Sequence, residues 1–473
     1  MIRFVLLLII AAVWIQTSHA ADALPIQAGT SVYVNHLLTD DNGNMYMCGN
    51  IRGRVWIGGK LTDEYSDKSY PVLVKLNKDL TFEWLVKLEA MPREAKIIDN
   101  KIYLLHNRDF LQDEFKTKFL VLSSWDLKGN LIMKRDFLKI AGITNLHTGI
   151  RLFNDGVFTW TTWKGEDNTL EFDNRTMTKK RYSQCRFAYI DFNGKELWEY
   201  TIEGGIGGFT DLRIQKVTRD NEGNTYVVSY FSHSADLGIA NFTTKEMYPE
   251  VRSQPLHYNA LFIMKFDPFG KPLKAELLAE NDMTIEDMQV DSEGNVLLAG
   301  YHRGNDTFAK MQEDGRPYIG AKLKGEAFHY TREMSMEGPT DDAFIAMLDK
   351  DWKVKWKHNF FGDGYNRCLD IITTVNGFAV TGMFAKTIQI GDNQYTEHPD
   401  NQGYADGFYF EINTEGKISN VQLFTGVESN VPQLWQSPSG KGIVTVSTKS
   451  EIVINGKTHK GFGHWGGTFV YVP

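Results

Sequence analysis

The chain predicts an all-β fold: a seven-bladed β-propeller of four-stranded blades, closed by an N-terminal strand that completes the last blade. Three observations predict it. A hydrophobic segment broken by a tight turn recurs seven times along the 473 residues. A second segment, aromatic and β-branched with its own turn, follows each of them. Both are built from short strands. A repeated unit of strands that cannot bury its faces alone stacks radially into a ring.

The first segment occupies 41–46, 98–103, 153–158, 220–226, 291–297, 374–380 and 437–444. Its turns are rich in Asp, Asn and Gly, which tolerate the positive φ of tight hairpins. It reads as the two inner strands of a blade. The second occupies 72–80, 119–130, 187–198, 261–271, 343–352, 408–417 and 468–472. Six of these run through a turn into another strand, several with a tryptophan (Trp84, Trp198, Trp356). They read as the two outer strands. The seventh has no room for a fourth strand, so residues 21–30 are expected to supply it. A short element at 55–59, 170–174, 237–241, 388–392 and 452–456 reads as an extension of the second strand or a small extra hairpin. The longest connection, 303–341, reads as a surface loop. Short turns leave one face of the disc trimmed, and the longer connections elaborate the other.

Residues 1–20 read as a signal peptide. Arg3 precedes an apolar run from Phe4 to Ile15, and Ser18-His19-Ala20 offers small residues for cleavage after Ala20. The run is too short to span a bilayer, which takes roughly 20 apolar residues. The protein is therefore expected to be exported, to the periplasm, the cell surface or the medium, with no integral membrane segment after cleavage. Residues 21–473 read as one domain with blades at about 31–89, 90–142, 143–204, 205–281, 282–363, 364–426 and 427–473 plus 21–30.

Net charge is −8 with both signs interspersed, so no basic stripe suits a nucleic acid. Cys48, Cys185 and Cys368 are odd in number and far apart, and read as small buried strand residues rather than a disulfide scaffold or metal pair. The sequence Gly461-x-Gly463-x-x-Gly466 leads into a strand, whereas a dinucleotide fingerprint opens a helix. Gly456-Lys457-Thr458 lacks the earlier glycine of a phosphate loop. The turn from Asp40 to Asn44 alternates oxygen donors in the manner of a calcium loop, but the position of the bidentate glutamate is Ile51. Calcium has no support beyond those oxygens, and no cofactor or metal is predicted. No HExxH or GxSxG motif occurs.

Segment 341–382, "DDAFIAMLDKDWKVKWKHNFFGDGYNRCLDIITTVNGFAVTG", resembles the bacterial β-propeller repeats known as SBBP repeats. It carries their Asp-Ala-Phe strand, a tryptophan on the next strand and a glycine-bearing hairpin. "DSEGNVLLAG" (291–300) and "DNGNMYMCG" (41–49) match the hairpin part. The second repeat lacks the glycine and the seventh is truncated. The resemblance implies an exported or surface propeller and brings no catalytic residues. "DFNGKELWEY" (191–200) is similar to the repeat unit of quinoprotein-like propellers, in one repeat only, so no quinone cofactor is carried over.

Counting seven residues back from the hairpin glycine gives His36, Lys216, Asp287 and Asp370 in four repeats. On the innermost strands these would line the central channel and form a candidate binding site. No catalytic constellation is legible. The expected function is a non-catalytic binding, protein-interaction or scaffold module, monomeric, with a protein or glycan partner. The alternative is an extracytoplasmic polysaccharide hydrolase or lyase with carboxylates gathered around the axis.

Overall fold

A computed structural model describes residues 24–471 apart from 26, 62–67, 110–117, 142–145, 164–168, 179–183, 205–211, 248–255, 304–321, 328–340, 461–466 and shorter loop positions. The expected signal peptide lies outside these residues. The strand pairing is antiparallel throughout, and it builds radial sheets of consecutive strands.

Six blades are complete four-stranded meanders, each from one stretch of chain. Their inner strands are Gln27–Thr39, Pro92–Ile98, Leu146–Leu152, Arg213–Arg219, Met283–Val290 and Asn366–Thr374. These blades are numbered 1 to 6 below. The expectation of a seven-bladed propeller closed by an N-terminal strand is corrected here: the propeller has six four-stranded blades. The C-terminal stretch provides three strands, Pro432–Gln436, Gly442–Thr448 and Gly467–Tyr471. Among the described residues, their fourth position is filled by Leu24–Pro25, opposite Val470 and Phe469. This composite sheet sits between blade 6 and blade 1: Leu434 N–H donates to Asp370, and Thr39 Oγ1 donates to the Gln436 carbonyl. Pairing within residues 21–30 is divided, because Gln27, Ala28 and Gly29 already pair with Ile57, Trp56 and Val55 of blade 1.

Blades are also wider than expected. Several second-to-third-strand connections fold into hairpins that join the outer strand of the preceding blade. Phe172 pairs with Ile140 of blade 2, Asp236 with Glu203 of blade 3, Leu323 with Ala279 of blade 4, and Ile454 with Phe424 of blade 6. The long connection between 303 and 341 therefore holds a hairpin, Lys322–Leu323 with Glu326–Ala327. Each such hairpin occupies backbone groups that an outer strand would otherwise present as an open edge. It also ties consecutive blades together.

Apolar residues of each strand alternate between two neighbouring blades. One cluster joins Phe187 and Trp198 of blade 3 to Phe262 and Phe266 of blade 4. Another joins Ile263 of blade 4 to Phe344 and Trp352 of blade 5. The three cysteines are buried free thiols on strands, and burial pushes Cys48 and Cys185 up to about 12. They pack as small apolar side chains.

The turns share one device. In the turn that opens with Asp40, Oδ1 accepts from the N–H groups of Asn42 and Asn44, while Oδ2 accepts from Asn44 Nδ2 and Tyr46 Oη. Both carboxylate oxygens of Asp40 are thus engaged by the turn and the strand that follows it. The same two backbone bonds recur at Asp220, Asp291 and Asp349. The fourth residue of the device adopts positive φ, which explains the recurring glycine.

Candidate functional site at the propeller axis

Five of the six innermost strands share a one-residue bulge. It falls just before His36, Glu94, Lys216, Asp287 and Asp370, which face Cys48, Leu105, Val228, Ala299 and Thr381 on the second strands. A bulge re-aims the next side chain and increases local twist. It also brings two strands close: a Cβ on Gly300 would lie 2.0 Å from the Thr284 carbonyl oxygen, and one on Gly382 2.3 Å from that of Arg367. At these two positions a side chain would collide with the bulged strand, whereas Ser229 and His106 stand at the equivalent positions of blades 4 and 2.

All four residues expected from the sequence therefore occupy one tier of the inner ring. Three of them reach the backbone of the next inner strand. His36 Nε2 lies 3.1 Å from the Pro92 carbonyl. Asp287 Oδ2 accepts from Ile371 N–H at 2.8 Å, and Asp370 Oδ2 from Leu434 N–H at 3.3 Å. In blade 4 the bulged residue takes this role, with Gln215 Oε1 accepting from Ile285 N–H at 2.9 Å. These contacts clamp neighbouring sheets together around the axis. Asp287 and Asp370 each keep Oδ1 unbonded among the described residues.

Glu94 completes the tier and was not found by counting, because the blade 2 hairpin has Asp99-Asn100 at φ 48° and 57° in place of a glycine. Blade 3 has no bulge, and Gly149 stands at the tier position opposite Trp160, whose ring covers it. Two residues closer to the hairpin turns lie Lys96 and Arg151. Arg151 Nη1 pairs with Glu94 Oε1 at 3.4 Å while 45% of its side chain stays accessible.

These charges share one space. Glu94 first, then Asp287 and Asp370, raise the Arg151 guanidinium above its usual value, although these carboxylates stand on blades 2, 5 and 6. Burial pulls His36 down, against Glu94. Burial and the repulsion of Arg151 pull Lys96 down. Burial, then the charge of Asp287, pushes Asp370 up to about 6, against the pull of Lys216 and of Leu434 N–H. The arrangement can therefore hold a proton near neutral pH beside an acid of the same ring, and it presents both signs of charge to the axis. Among the described residues no group of three or more His, Cys, Asp or Glu is placed to hold a metal.

The ring of radial antiparallel meanders defines a β-propeller. No family profile matches the chain, and no curated protein does. Among solved structures, the propeller domain of the trilobed protease from Pyrococcus furiosus aligns with 92% of this chain and 99% of its own, at 11% identity and a TM-score of 0.41. The acylaminoacyl peptidase of Pyrococcus horikoshii aligns with 92% of this chain at 13% identity and a TM-score of 0.39. The chain spans only 53% of that peptidase. An apocarotenoid oxygenase from Synechocystis gives 9% identity and a TM-score of 0.37 over 92% of this chain and 90% of its own. The propeller assignment rests on the strand pairing, and these likenesses carry no activity to this chain.

Proposed function

We propose that the chain is an exported, non-catalytic β-propeller of the SBBP-repeat type that works as a binding or protein-interaction scaffold. The observation that carries this reading is the use of the axial polar groups. His36, Asp287 and Asp370 hold the backbone of adjacent sheets, as a rigid frame requires. Export is supported by the pattern of residues 1–20, and no helix of the described residues is long and apolar enough to cross a membrane. Connections that fold into hairpins against the preceding blade support one elaborated face on which a protein or glycan partner would dock.

One observation favours the alternative of a polysaccharide hydrolase or lyase. Asp370, pushed up to about 6 by burial and then by the charge of Asp287, is an acid able to hold a proton near neutral pH. The test couples a glycan array and affinity capture to a turnover screen on polysaccharides, each with wild type and Asp370→Asn. A specific partner retained by both proteins, with no turnover, is the expected result. Turnover abolished by Asp370→Asn would replace this reading with the enzymatic one.

A further inference from the structure

One junction between blades is built differently from its neighbours. Trp84, Trp198 and Trp356 lie over the turn glycines of the next blades, Gly129, Gly270 and Gly416, with indole atoms 2.4–3.1 Å from the Cβ position. Between blades 4 and 5, Trp352 of the turn supplies the indole. Between blades 2 and 3 the tryptophan position is Met133, which packs against the cluster that also takes Tyr103 and Phe192. Among the described residues nothing lies within 4 Å of a Cβ on the turn glycine here, Gly194. The position that an indole covers at four other junctions is therefore open at this one.

The exposed apolar surface beside it is confined to three consecutive blades. The outer strands of blades 1 to 5 carry a one-residue bulge at a shared position, which holds Glu83, Ile132, Leu197, Leu273 and Lys355. Glu83 and Lys355 show that the bulge itself does not require an apolar side chain. In blades 2, 3 and 4 the residue is aliphatic all the same, and Ile132, Leu197 and Leu273 stand 49–51% exposed, with Leu131 next to Ile132. Phe269, in the outer turn of blade 4, is 84% exposed. The equivalent turn position holds Asp79, Lys128, Asn193, Asp351 and Glu415 in the other blades. Exposed apolar side chains grouped in this way mark a docking face, whereas single ones need no explanation.

The occupant is argued from the chain itself. Gly270, the neighbour of Phe269, lies under Trp198 of blade 3, so only the width of the blade 3 outer hairpin separates Phe269 from Gly194. A protruding ring and a position that takes a ring elsewhere in the molecule thus share one rim. A two-fold interface is self-complementary, so two copies facing each other across this rim can fill both positions at once. The bulges break the backbone ladder of the outer strands, which leaves side chains rather than strand addition to make the contact. The three outer hairpins, 126–136, 191–199 and 267–276, hold six cations and seven carboxylates. Two such faces meet without concentrated like charge, although the net charge of the chain is −8.

We propose that two copies of the chain associate through the rim of blades 2 to 4, with Phe269 of each copy seated over Gly194 of the other and the exposed aliphatic residues packed around it. This goes beyond the reading of the chain as a binding module and replaces the expectation of a monomer.

Sedimentation velocity of the mature chain over a range of concentrations tests it. Wild type should dimerise with a midpoint of about 1–100 µM, as a small interface anchored by an aromatic side chain does. Phe269→Ser changes only an exposed side chain, and Met133→Trp supplies the chain's own indole to Gly194. Each should weaken the dimer at least 10-fold, as loss of a central anchor does. Met133→Trp should not lower the thermal midpoint, so its effect reports a covered position rather than a damaged fold. Val375→Ser, at a 79% exposed position in the inner turn of blade 6, should leave the dimer unchanged. A wild type still monomeric at about 500 µM, a dimer that survives Phe269→Ser, or one equally sensitive to Val375→Ser overturns the proposal. So does a dimer that Phe269→Ser disrupts and a well-folded Met133→Trp leaves intact. Should Met133→Trp fold poorly, Leu197→Ser takes its place with the same expectation. A monomer that uses Phe269 to bind phosphatidylcholine vesicles or a different protein would give the face to that partner and overturn it as well. None of these outcomes alters the glycan-array, affinity-capture and turnover results on which the binding-module reading stands or falls.

Discussion

Blade 3 meets blade 4, and blade 4 meets blade 5, with the same two positions but opposite occupants. At the first junction Trp198, seven residues after Asp191, lies against Gly270 in the turn of the next blade; a Cβ there would be 2.4 Å from the indole. Trp84 on Gly129 and Trp356 on Gly416 repeat this arrangement at the junctions of blades 1 and 2 and of blades 5 and 6. At the second junction the tryptophan position holds Lys274, and the glycine position holds Trp352. The indole now comes from the turn, is 1% exposed, and carries the Lys274 ammonium 4.4 Å from its ring centre. At these four junctions one indole fills the site, and either blade can supply it. What the reversal costs is backbone conformation, since Trp352 is held at φ 63°, where glycine sits elsewhere.

The largest expected effect comes from removing that indole. Trp352→Gly relieves the φ strain yet empties a buried site, so it should destabilise the protein by about 3–5 kcal/mol, as large-to-small aromatic changes do. Adding Lys274→Trp converts the junction to the blade 3–4 type and should recover at least half of the loss. Denaturant titration of the two variants and wild type measures it. No recovery would mean that the junctions are not interchangeable.

A smaller effect separates the steric cost of glycine from its conformational cost. Gly270→Ala drives a methyl into Trp198 and forces φ 82° on alanine, for about 2–4 kcal/mol. Gly194 has the same turn geometry, at φ 79°, but nothing lies within 4 Å of its Cβ position. Gly194→Ala should cost only about 1 kcal/mol. Equal shifts in thermal midpoint would show that the indole contact contributes nothing.

These junctions also explain how much was legible. Turn chemistry and strand alternation are local, so the radial sheets could be read from Asp, Gly and β-branched residues in fixed order. The C-terminal repeat read as a blade because its first two strands carry the same local signals. That Leu24–Pro25 fill its fourth position among the described residues is a matter of long-range pairing. The hairpins donated to the preceding blade are equally non-local. Counting from the glycine found His36, Lys216, Asp287 and Asp370 because the bulge keeps a constant distance from the turn. It missed Glu94 and Arg151, where the turn or the bulge differs. Nothing in the repeat pattern announced that Trp352 and Lys274 compensate each other, since each looks like a defect when its own blade is read alone.

The axial contacts should respond to pH where the outer indole contacts do not. Asp370, near 6 in the folded protein against about 4 unfolded, binds its proton more tightly when folded. The stability this provides is complete below about pH 4 and is lost as pH rises through 6. Asp370→Asn keeps an acceptor for Leu434 N–H and carries no charge. It should match wild type near pH 4 and exceed it by about 1–2 kcal/mol above pH 7, the shift being discounted for partial exposure. Denaturation midpoints at several pH values measure the difference. A constant difference from pH 4 to 8 would show that Asp370 does not titrate in this range.

The smallest effect tests whether charge matters at the reversed junction. Lys274 stacks on Trp352, donates to the Asp351 carbonyl at 2.8 Å and pairs with Glu276 at 2.8 Å. Lys274→Met keeps most of the apolar stem over the indole and removes the ammonium, the exposed carbonyl bond and the surface pair. Exposed cation–π contacts contribute about 0.5–1 kcal/mol, and exposed ion pairs less. Lys274→Met should therefore cost under about 1 kcal/mol, and Lys274→Ala, which also strips the stem from the indole, should cost more. If methionine and alanine were equally damaging, the charge would be the chief contributor. The junction would then depend on a cation as well as an indole, and the reversal would be a different solution rather than a mirrored one.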